Sequence, residues 1–259
     1  MSMGDQWQVP ASNEPRWRVL DTRSVPVTNQ PQLQVLDTRL ASNSMPAANE
    51  PMRALLEYPL WYRCTEKILA LFILIITLPL MLIEALIIRL ESPGPALFFH
   101  NRMTTNMKVF RFVKFRTLYA DSRKRFPEYY RYQYTPEQLL EYRYKTENDP
   151  RITPSGRWLR RISIDELPNF WHVLTGDMAL VGPRPEIPEL LPYYTREMRK
   201  KFTVRPGITG LAQVSGRSRL TFYETVKYDL EYVENKSIMF DLKLILRTVK
   251  VMLTDPGAF

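Results

Sequence analysis

The sequence is poor in the residues that build disulfides and zinc sites. Its 259 residues include one cysteine, Cys64, and two histidines, His100 and His172. A single cysteine excludes an intrachain disulfide and agrees with the reducing, cytosolic side of a membrane. With only two histidines, a zinc site built from histidine is not expected. Any metal is therefore expected to be a hard cation bound by oxygen atoms.

Acidic residues are outnumbered by basic ones. The chain has 36 Lys and Arg against 27 Asp and Glu, which gives a formal net charge of +9. Such an excess favours anionic partners, namely nucleic acid, phosphorylated substrates or the anionic face of a bilayer. Charge alone does not choose among these three classes.

Residues 1–57 lack a sustained apolar period. They are rich in Pro, Asn, Ser and Gln, and a segment of this composition buries too little apolar surface to form a core. We therefore predict a disordered extension over residues 1–57, with a partner-binding tail as the alternative. The apolar run that follows comes too late in the chain for a secretory signal.

One long apolar run extends from Ile68 to Ile88. It has about the twenty residues that a spanning helix requires, but Pro79 near its middle removes a backbone hydrogen bond and predicts a kink. Basic residues flank both ends, so the charges give no orientation. Composition leaves two alternatives, a kinked spanning helix and a re-entrant helical hairpin. Glu84 is costly in hydrocarbon and is expected to face protein or the interface.

Three later segments carry structural predictions. Residues 96–99 and 109–115 have the pattern of two short strands in a hairpin. Residues 119–150 are rich in Tyr, Arg and Glu, which suits a lipid headgroup zone better than stacking on single-stranded nucleic acid, so no nucleic-acid partner is predicted. Residues 241–253 predict an amphipathic helix with a basic polar face, which either lies on a membrane or packs on the domain.

Two adjacent acids, Asp165 and Glu166, lie in the string Ser-Ile-Asp-Glu-Leu-Pro at residues 163–168. Ser163 with Glu166 predicts a capping box, which would make Ser163 the N-cap and place Asp165 in the first turn of a helix. Acids are ordinary in a first turn because they meet the positive end of the helix dipole. The string alone is therefore explained by capping.

Nearby arginines favour a chemical role for these acids. Arg160 lies just upstream, and Arg184 stands in Val-Gly-Pro-Arg-Pro at residues 181–185, a loop made rigid by its prolines. A helix N-terminus with arginines is suited to bind phosphate. A carboxylate can attack phosphorus to form an acyl phosphate, and the neighbouring Glu166 suits a Mg2+ site. Together with the apolar run, these residues indicate phosphate chemistry on a lipid.

The motifs, in their order along the chain, closely resemble the bacterial sugar transferase family. Its members are monotopic phosphoglycosyl transferases that initiate glycan assembly on polyprenol phosphate. The resemblance extends from about Tyr58 to Phe259 and includes the proline-broken apolar helix. The motifs that carry it are Lys-Phe-Arg-Thr at 114–117, Ser-Ile-Asp-Glu-Leu-Pro at 163–168, Gly-Asp-Met at 176–178, Val-Gly-Pro-Arg-Pro at 181–185, Arg-Pro-Gly-Ile-Thr-Gly at 205–210, Gln213, and Ser-Gly-Arg at 215–217.

The resemblance implies a ping-pong reaction at the cytoplasmic face of the bacterial inner membrane. In that reaction Asp165 attacks the β-phosphate of a UDP-sugar, expels UMP and forms a covalent phospho-sugar enzyme. Undecaprenyl phosphate then takes the sugar phosphate, the first step of exopolysaccharide, capsule or O-antigen synthesis. Glu166 matches the family's Mg2+-associated acid, so the implied cofactor is Mg2+. Lys114, Arg160 and Arg184 match basic residues that bind the substrate phosphates.

A weaker analogy assigns Arg205, Gln213 and Arg217 to the nucleotide end of the substrate. Two positions depart from the common family pattern. Leu78 stands where a serine often precedes the proline, and His172 replaces a commonly seen asparagine. Without the serine, the break in the helix depends more heavily on Pro79 alone, and we infer no loss of activity from His172.

The implied architecture has three parts. A re-entrant membrane helix over residues 58–90, broken at Pro79, follows the extension and precedes a cytosolic catalytic domain over residues 91–259. That domain is expected to be a small α/β or irregular α+β fold with interfacial amphipathic helices. The anchor is monotopic, so the protein would enter one face of the bilayer only.

Expected partners are UDP-sugar, undecaprenyl phosphate and membrane lipids, with a homodimer left open. Residues 148–153 and 255–259 look most like members that transfer glucose or galactose 1-phosphate. An N-acetylated or diamino sugar is the enzymatic alternative. An alternative of another class is a basic, membrane-tethered protein that binds anionic lipid or RNA without turnover, in which Asp165 is only a helix cap.

Overall fold

The computed structural model describes residues 58–144, 148–216 and 219–254. The predicted extension and Arg217 lie outside these residues. The α-helices are α1 Leu60–Glu91, α2 Ser122–Arg125, α3 Pro136–Glu141, α4 Pro154–Ile162, α5 Phe170–Thr175, α6 Leu211–Ser215, α7 Phe222–Asn235 and α8 Ile238–Thr254. The strands are β1 Leu97–Met103, β2 Val109–Phe115, β3 Ala179–Val181 and β4 Gly207–Thr209, and short 3-10 segments cover Thr105–Met107, Pro127–Tyr130, Ile164–Asn169, Pro188–Tyr193 and Met198–Thr203. The mixed helix and strand composition that the sequence predicts is confirmed, with helices predominant.

Helix α1 touches the rest of the domain near both of its ends. Its buried residues fall within 66–70 and 84–88, whereas no side chain from 71 to 83 is buried. Among the described helices, only α1 is long and apolar enough to cross a membrane. The backbone is helical at every position, including Pro79. The two arms predicted around Pro79 therefore form one continuous helix in secondary structure, and the re-entrant path stays a prediction.

The predicted hairpin is confirmed. Strands β1 and β2 pair antiparallel, with Leu97 opposite Phe115 and Met103 opposite Val109. Phe110 and Phe112 of β2 join the main apolar cluster, because alternate residues of a strand face the same side. Lys114 lies opposite Phe98 in this register. The hairpin therefore carries Lys114 near the end of β2, next to the segments that follow α4.

A short parallel pair, β3 with β4, positions the loop that follows β3. Ala179 lies opposite Gly207 and Val181 opposite Thr209. The backbones approach so closely that a Cβ atom on Gly207 would lie 2.1 Å from the backbone nitrogen of Gly182. Only glycine accommodates such an approach, so this contact fixes the start of the loop that carries Arg184.

A buried charged cluster lies behind that loop. The Nζ atom of Lys201 is 2.7 Å from Oδ2 of Asp229 and 3.8 Å from Oε2 of Glu186, and all three side chains are at most 2% exposed. Glu186 also accepts hydrogen bonds of 2.6 Å from the hydroxyl groups of Tyr144 and Tyr194. Because Glu186 stands two residues after Arg184, the cluster holds the loop in place.

Lys201→Met is expected to lower the free energy of unfolding by about 3–5 kcal/mol, because it leaves buried carboxylates without their cation. Chemical denaturation in detergent micelles measures this change. Lys200→Met is the matched control, since Lys200 forms an exposed pair with Glu197 and exposed pairs contribute about 0–1 kcal/mol. Equal losses in the two variants would contradict a stabilising role for the buried cluster.

Helix α8 leaves most residues of its apolar face exposed. Its inner face buries Asp241 and Leu244. Asp241 accepts hydrogen bonds from the hydroxyl groups of Tyr62 at 3.1 Å and Tyr232 at 2.8 Å. The stripe that the sequence predicts is mostly exposed, at Leu242, Leu246, Val249 and Leu253. Packing on the domain therefore does not account for most of this stripe.

Candidate active site

Asp165 stands in the 3-10 segment that directly follows α4. The link between the two is Ser163, which has φ 60° and ψ 19°. Its backbone N–H group bonds back to carbonyl groups of α4, and its side chain makes no capping hydrogen bond. The predicted capping box of Ser163 and Glu166 is therefore wrong. A left-handed residue of this kind ends a helix, and here it redirects the chain so that Asp165 is buried, with 5% exposure.

Glu166 forms an ion pair with Arg184. The Nη2 atom of Arg184 lies 2.6 Å from Oε1 of Glu166, and both side chains are partly exposed. The Glu166 charge raises the pKa of Arg184 above its ordinary value, and the charge of Asp165 adds to the effect. The loop after β3 thus delivers a guanidinium group to the two adjacent acids, as the sequence motifs predict.

Two further cations approach from other elements. The Nε atom of Arg160, on α4, donates a 2.8 Å hydrogen bond to the hydroxyl oxygen of buried Thr117. Burial, followed by the positive charge of Arg160, lowers the pKa of Lys114 to about 8, while the charge of Asp165 acts in the opposite direction. The structure therefore brings Lys114 and Arg160 together with Asp165, Glu166 and Arg184.

Arg102 is a cation at this site that the sequence analysis did not single out. It stands near the end of β1, and its Nη1 atom donates a 3.1 Å hydrogen bond to the carbonyl oxygen of Pro185. Burial and the neighbouring charge of Arg184 lower the pKa of Arg102. The contact of Arg102 with Pro185 joins segments that are distant in sequence. The position of Arg102 on the predicted hairpin, opposite Phe110, was therefore the only feature of the sequence that could have indicated it.

Arg205, Gln213 and Arg217, the residues assigned to the nucleotide end of the substrate, are not brought together with Asp165 by any described contact. The Nη2 atom of Arg205 lies 2.8 Å from Oε2 of Glu66 on α1, and Nη1 donates to the Met178 carbonyl oxygen at 3.2 Å. Arg205 thus ties α1 to the domain. Gln213 lies in the middle of α6, and among the described residues its side-chain amide has no hydrogen-bond partner. Arg217 lies outside the described residues.

The adjacent carboxylates fit a magnesium ion bound together with a substrate. In the described part of the chain, no group of three or more His, Cys, Asp or Glu forms a ready metal cage. A protein Mg2+ site commonly needs only one or two carboxylates, with phosphate oxygens and water completing the octahedron. Glu166 lies next to Asp165 and pairs with Arg184, so its carboxylate oxygen atoms suit that role.

Comparison with known proteins shows to which family the chain belongs. The family model described as bacterial sugar transferase matches residues 58–255. The chain is 43% identical to "Galactosyl transferase CpsE" of Streptococcus agalactiae over 169 residues, which cover 65% of this chain and 37% of that relative. It is 36% identical to "Undecaprenyl-phosphate galactose phosphotransferase" of Salmonella typhimurium over 197 residues, 76% of this chain and 41% of the relative.

A third relative has a similar length. "Exopolysaccharide production protein ExoY" of Rhizobium meliloti is 32% identical over 199 residues, which cover 76% of this chain and 87% of that protein. The chain thus matches only 37–41% of the length of the first two relatives, but most of this third one. The family match spans both α1 and the residues around Asp165, and the chain belongs to the bacterial sugar transferase family.

Proposed function

We propose that the protein transfers a sugar 1-phosphate from a UDP-sugar to undecaprenyl phosphate and releases UMP. The observation that carries this proposal is the meeting of Asp165 and the Glu166–Arg184 pair with Lys114 and Arg160, next to an exposed apolar helix. Relatives named as galactose and glucose phosphotransferases of undecaprenyl phosphate favour galactose or glucose as the sugar. An N-acetylated or diamino sugar is the alternative.

The first half-reaction makes a covalent enzyme. A carboxylate oxygen of Asp165 attacks the β-phosphorus of the UDP-sugar, and the bond from that phosphorus to the bridging oxygen breaks. UMP leaves with the electron pair, so no proton has to move. Arg184, Lys114 and Arg160 offset the negative charge of the diphosphate, which allows an anionic nucleophile to approach.

The second half-reaction restores the enzyme. A phosphate oxygen of the lipid acceptor attacks the phosphorus on Asp165, the acyl phosphate bond breaks, and the carboxylate of Asp165 leaves with the electron pair. The product is a sugar joined to lipid through a diphosphate. The same cations serve this step, because the reacting phosphorus stays at Asp165.

Glu166 would hold the Mg2+ ion. The bound ion would supply positive charge to the phosphate oxygens as negative charge develops on the departing UMP. Arg184 keeps the Glu166 carboxylate oriented through their 2.6 Å contact. Orientation of a ligating carboxylate by a hydrogen-bonding neighbour is a general requirement of metal sites.

A monotopic, re-entrant attachment on the cytoplasmic face is part of this proposal. Both end segments of α1 pack on the domain while the residues between 71 and 83 are not buried, which supports a path that enters and leaves one face of the bilayer. Exposed Trp158 and Trp171 on α4 and α5 are of a type enriched at membrane interfaces. This attachment would keep Asp165 at the height of lipid phosphates.

The proposal is tested with purified protein in lipid particles and a panel of UDP-sugars, without acceptor. One sugar is expected to give a stoichiometric burst of UMP and a mass increase equal to a sugar phosphate, mapped by peptide analysis to Asp165. UMP release with no adduct, or an adduct on another residue, would overturn the covalent mechanism. No release from any UDP-sugar would favour the alternative of a non-catalytic binding protein.

The pH dependence of kcat/KM for the UDP-sugar should report Lys114. Below its pKa of about 8, Lys114 is positive and neutralises substrate phosphate, so kcat/KM is expected to fall as pH rises through 8. Initial rates between pH 6 and about 10 show this limb, because kcat/KM reports groups of the free enzyme.

Lys114→Arg is the matched control for this limb. Arginine keeps its charge throughout the range, so the decline near pH 8 should disappear from the profile of this variant. Lys114→Met should have a lower kcat/KM at pH 7 and no decline near pH 8. A limb that persists unchanged in Lys114→Arg would assign it to another group.

A further inference from the structure

Helix α1 buries two acids of opposite character. Glu66 is satisfied, because one carboxyl oxygen accepts a 2.9 Å hydrogen bond from the Leu180 N–H group and the other pairs with Arg205 at 2.8 Å. Glu84 is equally buried, with 2% exposure. Among the described residues, neither carboxyl oxygen of Glu84 has a hydrogen-bond partner. Glu66 therefore stabilises the fold, whereas Glu84 makes no side-chain hydrogen bond in the described part of the chain that would stabilise it.

The unused acid lies at the active site. Helix α1 packs against the 3-10 segment that carries Asp165, and the charge of Asp165 acts on the Glu84 carboxyl group. A buried carboxylate without a partner is costly, and a neighbouring negative charge adds to that cost. The uncharged acid is therefore the form that this position favours, and an uncharged acid has one O–H group to donate.

We propose that Glu84 donates a hydrogen bond to the phosphate group of the lipid acceptor as that phosphate approaches Asp165. This inference rests on the proposed function and deepens it, because it assigns a residue to acceptor recognition. The direction of approach supports it. Glu84 is on the helix that carries the long exposed apolar surface, which the proposed function places in lipid. An acceptor phosphate that moves along this helix to Asp165 would pass Glu84.

The donor supplies what the cations do not. Lys114, Arg160 and Arg184 approach Asp165 from β2, α4 and the loop after β3, all on the domain side. A negatively charged phosphate that arrives along α1 passes Glu84. An ionised Glu84 would repel this phosphate, whereas the O–H group of the uncharged acid can donate a hydrogen bond to it. Hydrogen bonds from such donors to anionic oxygens are among the stronger ones in proteins.

Glu84→Leu separates this role from a structural one. The variant should form the Asp165 adduct at a rate within about threefold of the parent, yet transfer sugar phosphate to undecaprenyl phosphate at least about tenfold more slowly. Its melting temperature should be unchanged or higher, because apolar groups replace buried unpaired polar groups without loss. Glu66→Leu is the contrast, with a lower melting temperature caused by unpaired Arg205.

Glu84→Gln identifies the hydrogen-bond donor. Its amide N–H group can replace the acid's O–H group, so transfer should recover to within about threefold of the parent. Normal transfer by Glu84→Leu would overturn the proposal, as would a Glu84→Gln variant as slow as Glu84→Leu. Equal loss of both half-reactions in Glu84→Leu would also overturn it, by placing the effect on Asp165. Absence of any adduct in the parent protein would instead refute the proposed function itself.

Discussion

Asparagine in place of Asp165 is expected to lower UMP release by at least about a thousandfold, since loss of a nucleophile removes the covalent route altogether. The amide has nearly the same shape but a far weaker nucleophilic oxygen. The variant should also show no sugar phosphate adduct by intact mass. Burst measurements with the UDP-sugar selected from the panel, in the absence of acceptor, provide both readouts.

The control for this experiment is a surface acid. Asp121→Asn removes an exposed i,i+4 pair with Arg125 and should leave the burst unchanged. The Asp165→Asn protein should keep its melting temperature, because the substitution removes one of several buried negative charges without opening a cavity. Turnover near the parent level in a folded Asp165→Asn protein would reduce Asp165 to a structural residue.

Methionine in place of Arg184 is expected to slow adduct formation by about a hundredfold to a thousandfold, the usual cost of removing one preorganised group from a transition state. Two effects combine here. The variant loses a cation at the phosphate, and it frees the Glu166 carboxylate from its 2.6 Å partner. Single-turnover rates with saturating UDP-sugar measure the chemical step directly.

Arg184→Lys should retain part of the rate, because lysine restores the charge but not the planar fork of donors. Arg161→Met is the matched control, since Arg161 is an exposed arginine on α4 just before Ser163. Equal rates in Arg184→Met and Arg161→Met would show that the ion pair with Glu166 has no part in the chemistry.

Local patterns of the sequence predicted the elements that depend on local physics. The β1–β2 hairpin followed from apolar runs around a loop. The start of helix α3 also depends on local interactions, since Thr135 with Gln138 forms a complete capping box there. The capping box predicted at Ser163 from the Ser and Glu spacing was wrong. Ser163 instead ends α4 in a left-handed conformation, and the chain that follows it buries Asp165.

Contacts between distant segments could not be predicted in the same way. The pair of Arg205 with Glu66 joins the segment before β4 to α1, and no periodicity in either segment predicts this contact. The position of Arg102 behind Arg184 depends likewise on how the hairpin meets the loop after β3. The motifs therefore nominate candidate groups for the site, whereas the contacts between those groups depend on how distant segments pack.

Helix α1 is an integral part of the folded domain. Ala70 has no exposed surface and belongs to the main apolar core, Tyr62 donates a hydrogen bond to Asp241, and Glu66 fixes Arg205. A truncated protein that started at Ser92 would leave a hole in that core and two severed polar links. Deletion of α1 would therefore destabilise the domain, and a variant with a more polar surface has to be made by substituting the exposed residues of α1.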